Sequence, residues 1–199
     1  MKFTIFYLVF LILSTINRFK MRKKILSRDM CSGKVYAKWT LPALTFSYIS
    51  ILVFTVAEYF ICQRKISYLV TATGLSLYLT GLLGRNLPLK VLEKYWSPNV
   101  EIREDQKLIK KGLYRYSRHP YYLFLLIEIV GFTLIPNAYY AFFVAIMVYT
   151  FMIYVRIWYE EKALIEKFGQ EYLAYKKEVY ALLPLKKNIL RRNINEDQG

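Results

Sequence analysis

The chain has one histidine, His119, and two cysteines, Cys31 and Cys62, among 199 residues. No CxxC pair and no Cys/His cluster occurs, so the donors of a zinc or other metal site are missing and no metal is expected. Acidic residues are also scarce. Fourteen Asp and Glu stand against 29 Lys and Arg, a net charge of +15. Such an excess meets either nucleic acid or an anionic membrane surface. No internal repeat is present. The last residues, NEDQG, carry no prenylation box, so no lipid anchor of that kind is expected.

Apolar side chains, by contrast, are abundant. The chain is 56% hydrophobic and 18% aromatic, with a mean hydropathy of +0.23. Few soluble domains are this apolar, so the positive charge reads as contact with membrane lipids, and no nucleic-acid role is assigned. Five apolar runs stand out, at 3–16, 41–62, 66–84, 121–135 and 138–155. A bilayer takes about 20 helical residues. The second and third runs reach that length, the first is short, and the last two are short to marginal. The first run is either a retained helix or a cleaved signal. Its single leading lysine and the lack of a small-x-small site favour retention. Only Pro136-Asn137 separates the last two runs, which predicts a tight helical hairpin.

Lys and Arg concentrate in 18–38, 85–119 and 156–199, whereas the 136–137 link carries no charge. The positive-inside rule places the three basic segments in the cytoplasm and the N-terminus outside. The expected fold is therefore all-α, a multi-pass membrane bundle of about five transmembrane helices. Residues 1–84 would supply about three of them. Residues 85–199 would hold a cytoplasmic connection, the hairpin 121–155 and C-terminal helices. Gly169 is expected to end or kink the helix that leaves the fifth run.

Three constellations carry possible chemistry. In GLYRYSRHPYYLFLL, residues 112–126, Pro120 suits the first position of a helix and His119 its N-cap. With Arg115 and Arg118 nearby, that helix start is either an anion site or a basic grip on lipid phosphates. Glu58 and Glu128 lie inside apolar runs, where a carboxylate needs a partner or a cavity. Glu58 is in reach of water or of Arg64. Glu128 is either protonated, paired with an arginine, or on a ligand site. Arg156, Glu160 and Glu161 sit where the fifth run leaves the membrane. Arg156 and Glu160 are four apart and form either a plain helix ion pair or a site for a ligand of both signs.

Two of these blocks carry a resemblance. GLYRYSRHPYY, followed after a gap of eight residues by Gly131, resembles the G-x-Y-R-x-x-R-H-P-x-Y-(x8)-G signature of the isoprenylcysteine carboxyl methyltransferases. Glu160-Glu161, the run Phe168 to Tyr175 in the form F-G-x-x-Y-x-x-Y, and Leu183-Pro184 resemble that family's second block. The resemblance spans roughly residues 85 to 184. Gln106 stands where many relatives have a histidine, and Phe124 where they often have a glycine.

The resemblance implies an integral membrane enzyme that moves a methyl group from S-adenosylmethionine to the C-terminal carboxylate of a prenylated cysteine. The cofactor would lie in a C-terminal helical region open to the cytoplasm. The membrane would be the endoplasmic reticulum in a eukaryote and the cell membrane in a prokaryote. The implied cofactor residues are Arg118, His119, Pro120, Tyr122, Glu160, Glu161, Tyr172 and Tyr175. The implied catalytic residues are Arg156, to receive the carboxylate, and Glu160. Another membrane amphiphile, such as a phospholipid amine headgroup, is the alternative acceptor. A membrane scaffold or lipid-binding protein is the non-enzyme alternative.

Overall fold

The computed structural model describes residues 2–26, 33–92 and 95–184. Arg28, Asp29, Cys31 and the tail beyond Pro184 lie outside them. The chain forms two compact units, residues 1–32 and 33–199. The first contains one helix, α1 (Lys2–Leu26), which runs well beyond the apolar stretch 3–16.

The second unit is mostly helical. Its helices are α2 (Thr40–Cys62), α3 (Tyr68–Gly84), α4 (Asn86–Leu92), α5 (Pro120–Leu134), α6 (Tyr139–Val144), α7 (Thr150–Phe168) and α8 (Gln170–Glu178). A π turn at Ala145–Tyr149 joins α6 to α7, so Tyr139–Phe168 is one continuous helix of 30 residues. The predicted hairpin is present, and its second arm continues through Arg156 and Glu161. Hydropathy falls at Arg156, but the helical period does not. Thr40–Cys62 and Tyr139–Phe168 are long and apolar enough to cross a membrane, while α5 is shorter.

A two-stranded antiparallel ribbon departs from the all-α expectation. It pairs β1 (Lys34–Tyr36) with β2 (Val100–Ile102). Three-residue strands are too short to leave a periodic signal.

The core lies between α2, α5 and α7. Leu44, Tyr48 and Ile51 meet Tyr122, Leu125 and Ile129, and Ala145, Tyr149, Ile153 and Ile157 close the third side. The three and four residue spacings put each set on one helical face. On the other side of α5, α3 packs with backbones nearly touching. A Cβ on Gly131 would overlap the backbone of Tyr78, so a glycine is required there. Gly84 makes the hole that takes the Phe124 ring. The departure at Phe124 thus fills a notch on α3.

Both acids that lie inside apolar runs have partners. Glu128 is fully buried and lies 3.0 Å from Arg85, which follows α3. Glu58 accepts hydrogen bonds from the N–H groups of Tyr140 and Ala141 at 3.1 and 2.8 Å, and it pairs with Arg64 at 3.3 Å. It therefore caps the start of α6, where unpaired N–H groups and the helix dipole favour a negative charge. Beside it, Asn137 bonds Ser67 and Thr71, tying the α2–α3 link to the hairpin turn. These contacts fix one end of the unit. The basic motif residues gather at the other.

Candidate active site

The approach to α5 is made by a 3₁₀ turn, Gly112–Arg115, and then by backbone pairing with the C-terminal segment. Arg118 N–H donates to Tyr180 O at 3.0 Å, His119 N–H to Ala181 O at 2.8 Å, and Ser117 Oγ to Ala181 O at 2.9 Å. Pro120 follows as the first helical residue, where its missing N–H costs nothing. The His119 ring is left free of the capping role and turns toward α7.

Two adjacent acids on α7 receive very different neighbours. Glu161 Oε1 accepts from Arg118 Nε and Nη2 at 2.8 and 2.5 Å and lies 3.4 Å from His119 Nε2. Its Oε2 pairs with Lys176 on α8 at 2.6 Å. Arg118 Nη1 also donates to the carbonyls of Lys176 and Val179. Arg118 and Glu161 thus bolt the start of α5, α7, α8 and the C-terminal segment together. Glu160 is different. One oxygen accepts the Tyr122 hydroxyl at 2.8 Å, and the other lies 3.7 Å from His119 Nδ1. Its side chain is 32% exposed, against 8% for Glu161.

Tyr122 links this acid to a buried cation. Its hydroxyl oxygen accepts from Arg156 Nε at 2.8 Å while its proton goes to Glu160. Arg156 is 3% exposed. Its Nη1 donates to Thr40 Oγ1 at 3.0 Å and its Nη2 to Pro98 O. Arg156 and Glu160 are thus joined through Tyr122, one helical turn apart on α7. Next to them, Tyr121 meets Trp96 edge to face, with ring centroids 6.0 Å apart.

Gly169 explains how α8 reaches this cluster. It takes φ 51° and ψ −125°, a conformation that a side chain disfavours. The chain breaks there and α8 returns alongside α7. Tyr172 and Tyr175 are then buried against Leu108, Leu164, Ile165 and Phe168. The Tyr175 hydroxyl donates to Tyr114 O. Gln106 accepts from the Arg103 N–H at 3.2 Å and so closes a turn in the connection.

His119 responds to two opposed forces. Burial pulls its pKa down, but the carboxylates of Glu160 and Glu161 outweigh that and raise it above the usual 6.5. A raised folded value means that the imidazolium–carboxylate contacts stabilise fully below the unfolded pKa. That contribution is lost as pH rises through the folded pKa. Since the chain has a single histidine, NMR of histidine-labelled protein should give one ring titration with a midpoint above 6.5. A midpoint at or below that value would contradict this arrangement.

The motif residues 118, 119, 120, 122, 156, 160 and 161 therefore converge. Sequence reading missed Thr40, Pro98 and Lys176. Lys176 directly follows the second motif tyrosine and was within reach of a helical-wheel argument, whereas Thr40 and Pro98 left no local signal.

Residues 73–166 match the family model described as the isoprenylcysteine carboxyl methyltransferase family. Over those residues the chain is similar to this family. The protein-S-isoprenylcysteine O-methyltransferase B of Arabidopsis thaliana is 29% identical over 158 residues, covering 74% of this chain and 80% of the plant protein. The protein-S-isoprenylcysteine O-methyltransferase of Saccharomyces cerevisiae is 32% identical over 118 residues, or 58% of this chain and 49% of the yeast protein. A solved structure of a eukaryotic intramembrane Ras methyltransferase, isoprenylcysteine carboxyl methyltransferase, superposes with a TM-score of 0.55 at 25% identity. That match covers 72% of this chain and 52% of the solved one. The chain thus spans four fifths of the plant relative and about half of the other two. The likeness in sequence and in fold supports a membrane-embedded methyltransferase.

Proposed function

We propose that this chain uses S-adenosylmethionine to methylate the C-terminal carboxylate of a prenylated cysteine, at the cytoplasmic face of its membrane. The observation that carries the reading is the Arg156–Tyr122–Glu160 relay, a buried cation and a half-buried anion joined by one hydroxyl. The two charges suit the two ligands, an acceptor carboxylate and a cofactor ammonium.

The residues fit the cofactor. Glu160 keeps about a third of its side chain exposed, and only one of its oxygens has a close donor. A carboxylate so placed can take a cationic group. Glu161 is already occupied by three cationic partners. Glu160 is therefore assigned to the ammonium, and Arg118, His119, Pro120 and Glu161 shape the wall around it. Tyr122 lines the same wall, with Tyr172 and Tyr175 supporting it from behind. S-adenosylmethionine supplies an electrophilic methyl group when bound.

Arg156 receives the acceptor. A C-terminal carboxylate has a pKa near ~3.5 and is ionised at neutral pH, so no base has to remove a proton. Tyr122 keeps its proton directed at Glu160 throughout. Three of the five N–H donors of Arg156 are committed to neutral oxygens, so the guanidinium attracts the carboxylate without losing its orientation. Alignment of this kind supplies several kcal/mol of the barrier reduction in intramolecular reactions, roughly 7–11 at the upper limit. An amine headgroup would instead be protonated, need a base, and meet the positive charge of Arg156. That placement favours the carboxylate over the amine.

The same reading puts five crossings in the membrane, with the apolar runs 3–16 and 66–84 and helix α5 joining the two long spans. Residues 85–199 form the methyl-transfer core, and the basic segments face the cytoplasm, in the endoplasmic reticulum or a prokaryotic cell membrane. Prenyl chains and lipid are the partners of its apolar outer surface. Incubation with methyl-labelled S-adenosylmethionine and N-acetyl-S-farnesylcysteine tests the reading: the label should appear as a base-labile ester.

A further inference from the structure

Thr40 lies outside the residues matched by the family model, at the first position of α2, and is only 2% exposed. Its hydroxyl donates to Ala37 O at 2.9 Å. With the proton committed there, its oxygen accepts from Arg156 Nη1 at 3.0 Å. Three separate segments thus grip one guanidinium: Thr40 at the start of α2, Pro98 ahead of β2, and Tyr122 on α5. A guanidinium presents its donors in a rigid plane. Acceptors on three of them fix that plane and leave two N–H groups for a ligand.

The place of Thr40 is itself held from several sides. Ala37 turns the chain with φ 43°, a left-handed value for a residue with a side chain. Just before it, β1 is paired to β2. Tyr36 Oη and Lys34 Nζ each bond Glu166 at 3.0 Å, farther along the helix that carries Arg156. The ribbon and the start of α2 are therefore docked on α7 at two levels, Glu166 and Arg156. The lower contact brings a neutral hydroxyl from the N-terminal part of the chain to the cation of the methyl-transfer core.

We propose that Thr40 is a positioning residue for Arg156, setting the plane in which the guanidinium meets the acceptor carboxylate. The inference rests on the acceptor role proposed for Arg156. It assigns a function to the start of α2, a region in which the sequence shows no motif.

The test uses the full chain in detergent. T40V keeps the branched shape and removes the hydroxyl, whereas T40S keeps the hydroxyl. T40V should raise the KM for N-acetyl-S-farnesylcysteine by about tenfold, the scale of one hydrogen bond to a charged group. S-adenosylhomocysteine affinity should be unchanged, and T40S should restore the wild-type KM. An unchanged KM in T40V, or a loss in T40S equal to that in T40V, would overturn the proposal. If the wild-type protein does not methylate this acceptor, the proposed reaction fails, and the Thr40–Arg156 coupling is read from thermal midpoints instead. T40V, R156M and the double variant should then be non-additive, the double losing less than the sum of the singles. Additive losses would overturn the coupling.

Discussion

Replacing Arg156 with methionine is expected to cut kcat/KM for a prenylcysteine carboxylate by at least about a hundredfold, a loss of roughly 3 kcal/mol. Methionine keeps an apolar stem of similar length in the buried site but offers no donor to the carboxylate. Tyr122 still has Glu160 as its acceptor, so the cofactor half should survive, with S-adenosylhomocysteine affinity close to wild type. Lysine at the same position retains the charge but not the fork. It cannot serve Tyr122, Thr40 and Pro98 together and also orient a carboxylate, so it should fall between wild type and methionine. Steady-state kinetics on the three proteins check the order. Full activity in the methionine variant would remove Arg156 from the reaction.

The second large effect separates two neighbours on one helix. Glu161→Gln should be severely destabilising, because Arg118 is buried and Glu161 is the carboxylate bonded to it. Leaving a buried arginine without its anion costs about 3–5 kcal/mol, which for a chain of this size corresponds to a fall of roughly 10 °C in melting temperature. Glu160→Gln should behave in the opposite way. Its amide oxygen can still accept the Tyr122 hydroxyl, and the side chain is partly solvated, so the stability change should stay within about 1 kcal/mol. Cofactor affinity should nevertheless drop by at least about tenfold, as the charge proposed to face the ammonium is gone. Thermal unfolding and calorimetric titration with S-adenosylhomocysteine, run on both variants, distinguish the two roles. Equal melting losses with equal affinities would show that the division between the acids is wrong.

Much of this site was legible because its spacing is local. Arg118, His119 and Tyr122 straddle a helix start that Pro120 marks in the sequence. Arg156 and Glu160 are one turn apart, so they share a face, and Glu161 projects about 100° around the helix. The structure uses that angle, sending Glu160 to Tyr122 and Glu161 to Arg118. Which acid stays accessible was not legible, since it depends on Lys176 and the return of α8 after Gly169. Partners far away in the chain were likewise hidden. Thr40 meets Arg156 across 116 positions, and nothing near Thr40 announces it. The two acids inside apolar runs fall between these cases. Their burial demanded cations, and Arg64 was near enough in sequence to name for Glu58, but Arg85 reaches Glu128 only because α3 and α5 pack through glycines.

The acceptor assay bears most directly on whether Arg156, Tyr122 and Glu160 join a carboxylate to a methyl donor. Purified full-length protein would be given methyl-labelled S-adenosylmethionine with N-acetyl-S-farnesylcysteine and phosphatidylethanolamine in one mixture. The expected result is label on the farnesylcysteine alone, released as methanol by mild base. Label confined to the amine lipid in base-stable form, or no transfer to either acceptor, would contradict the assignment.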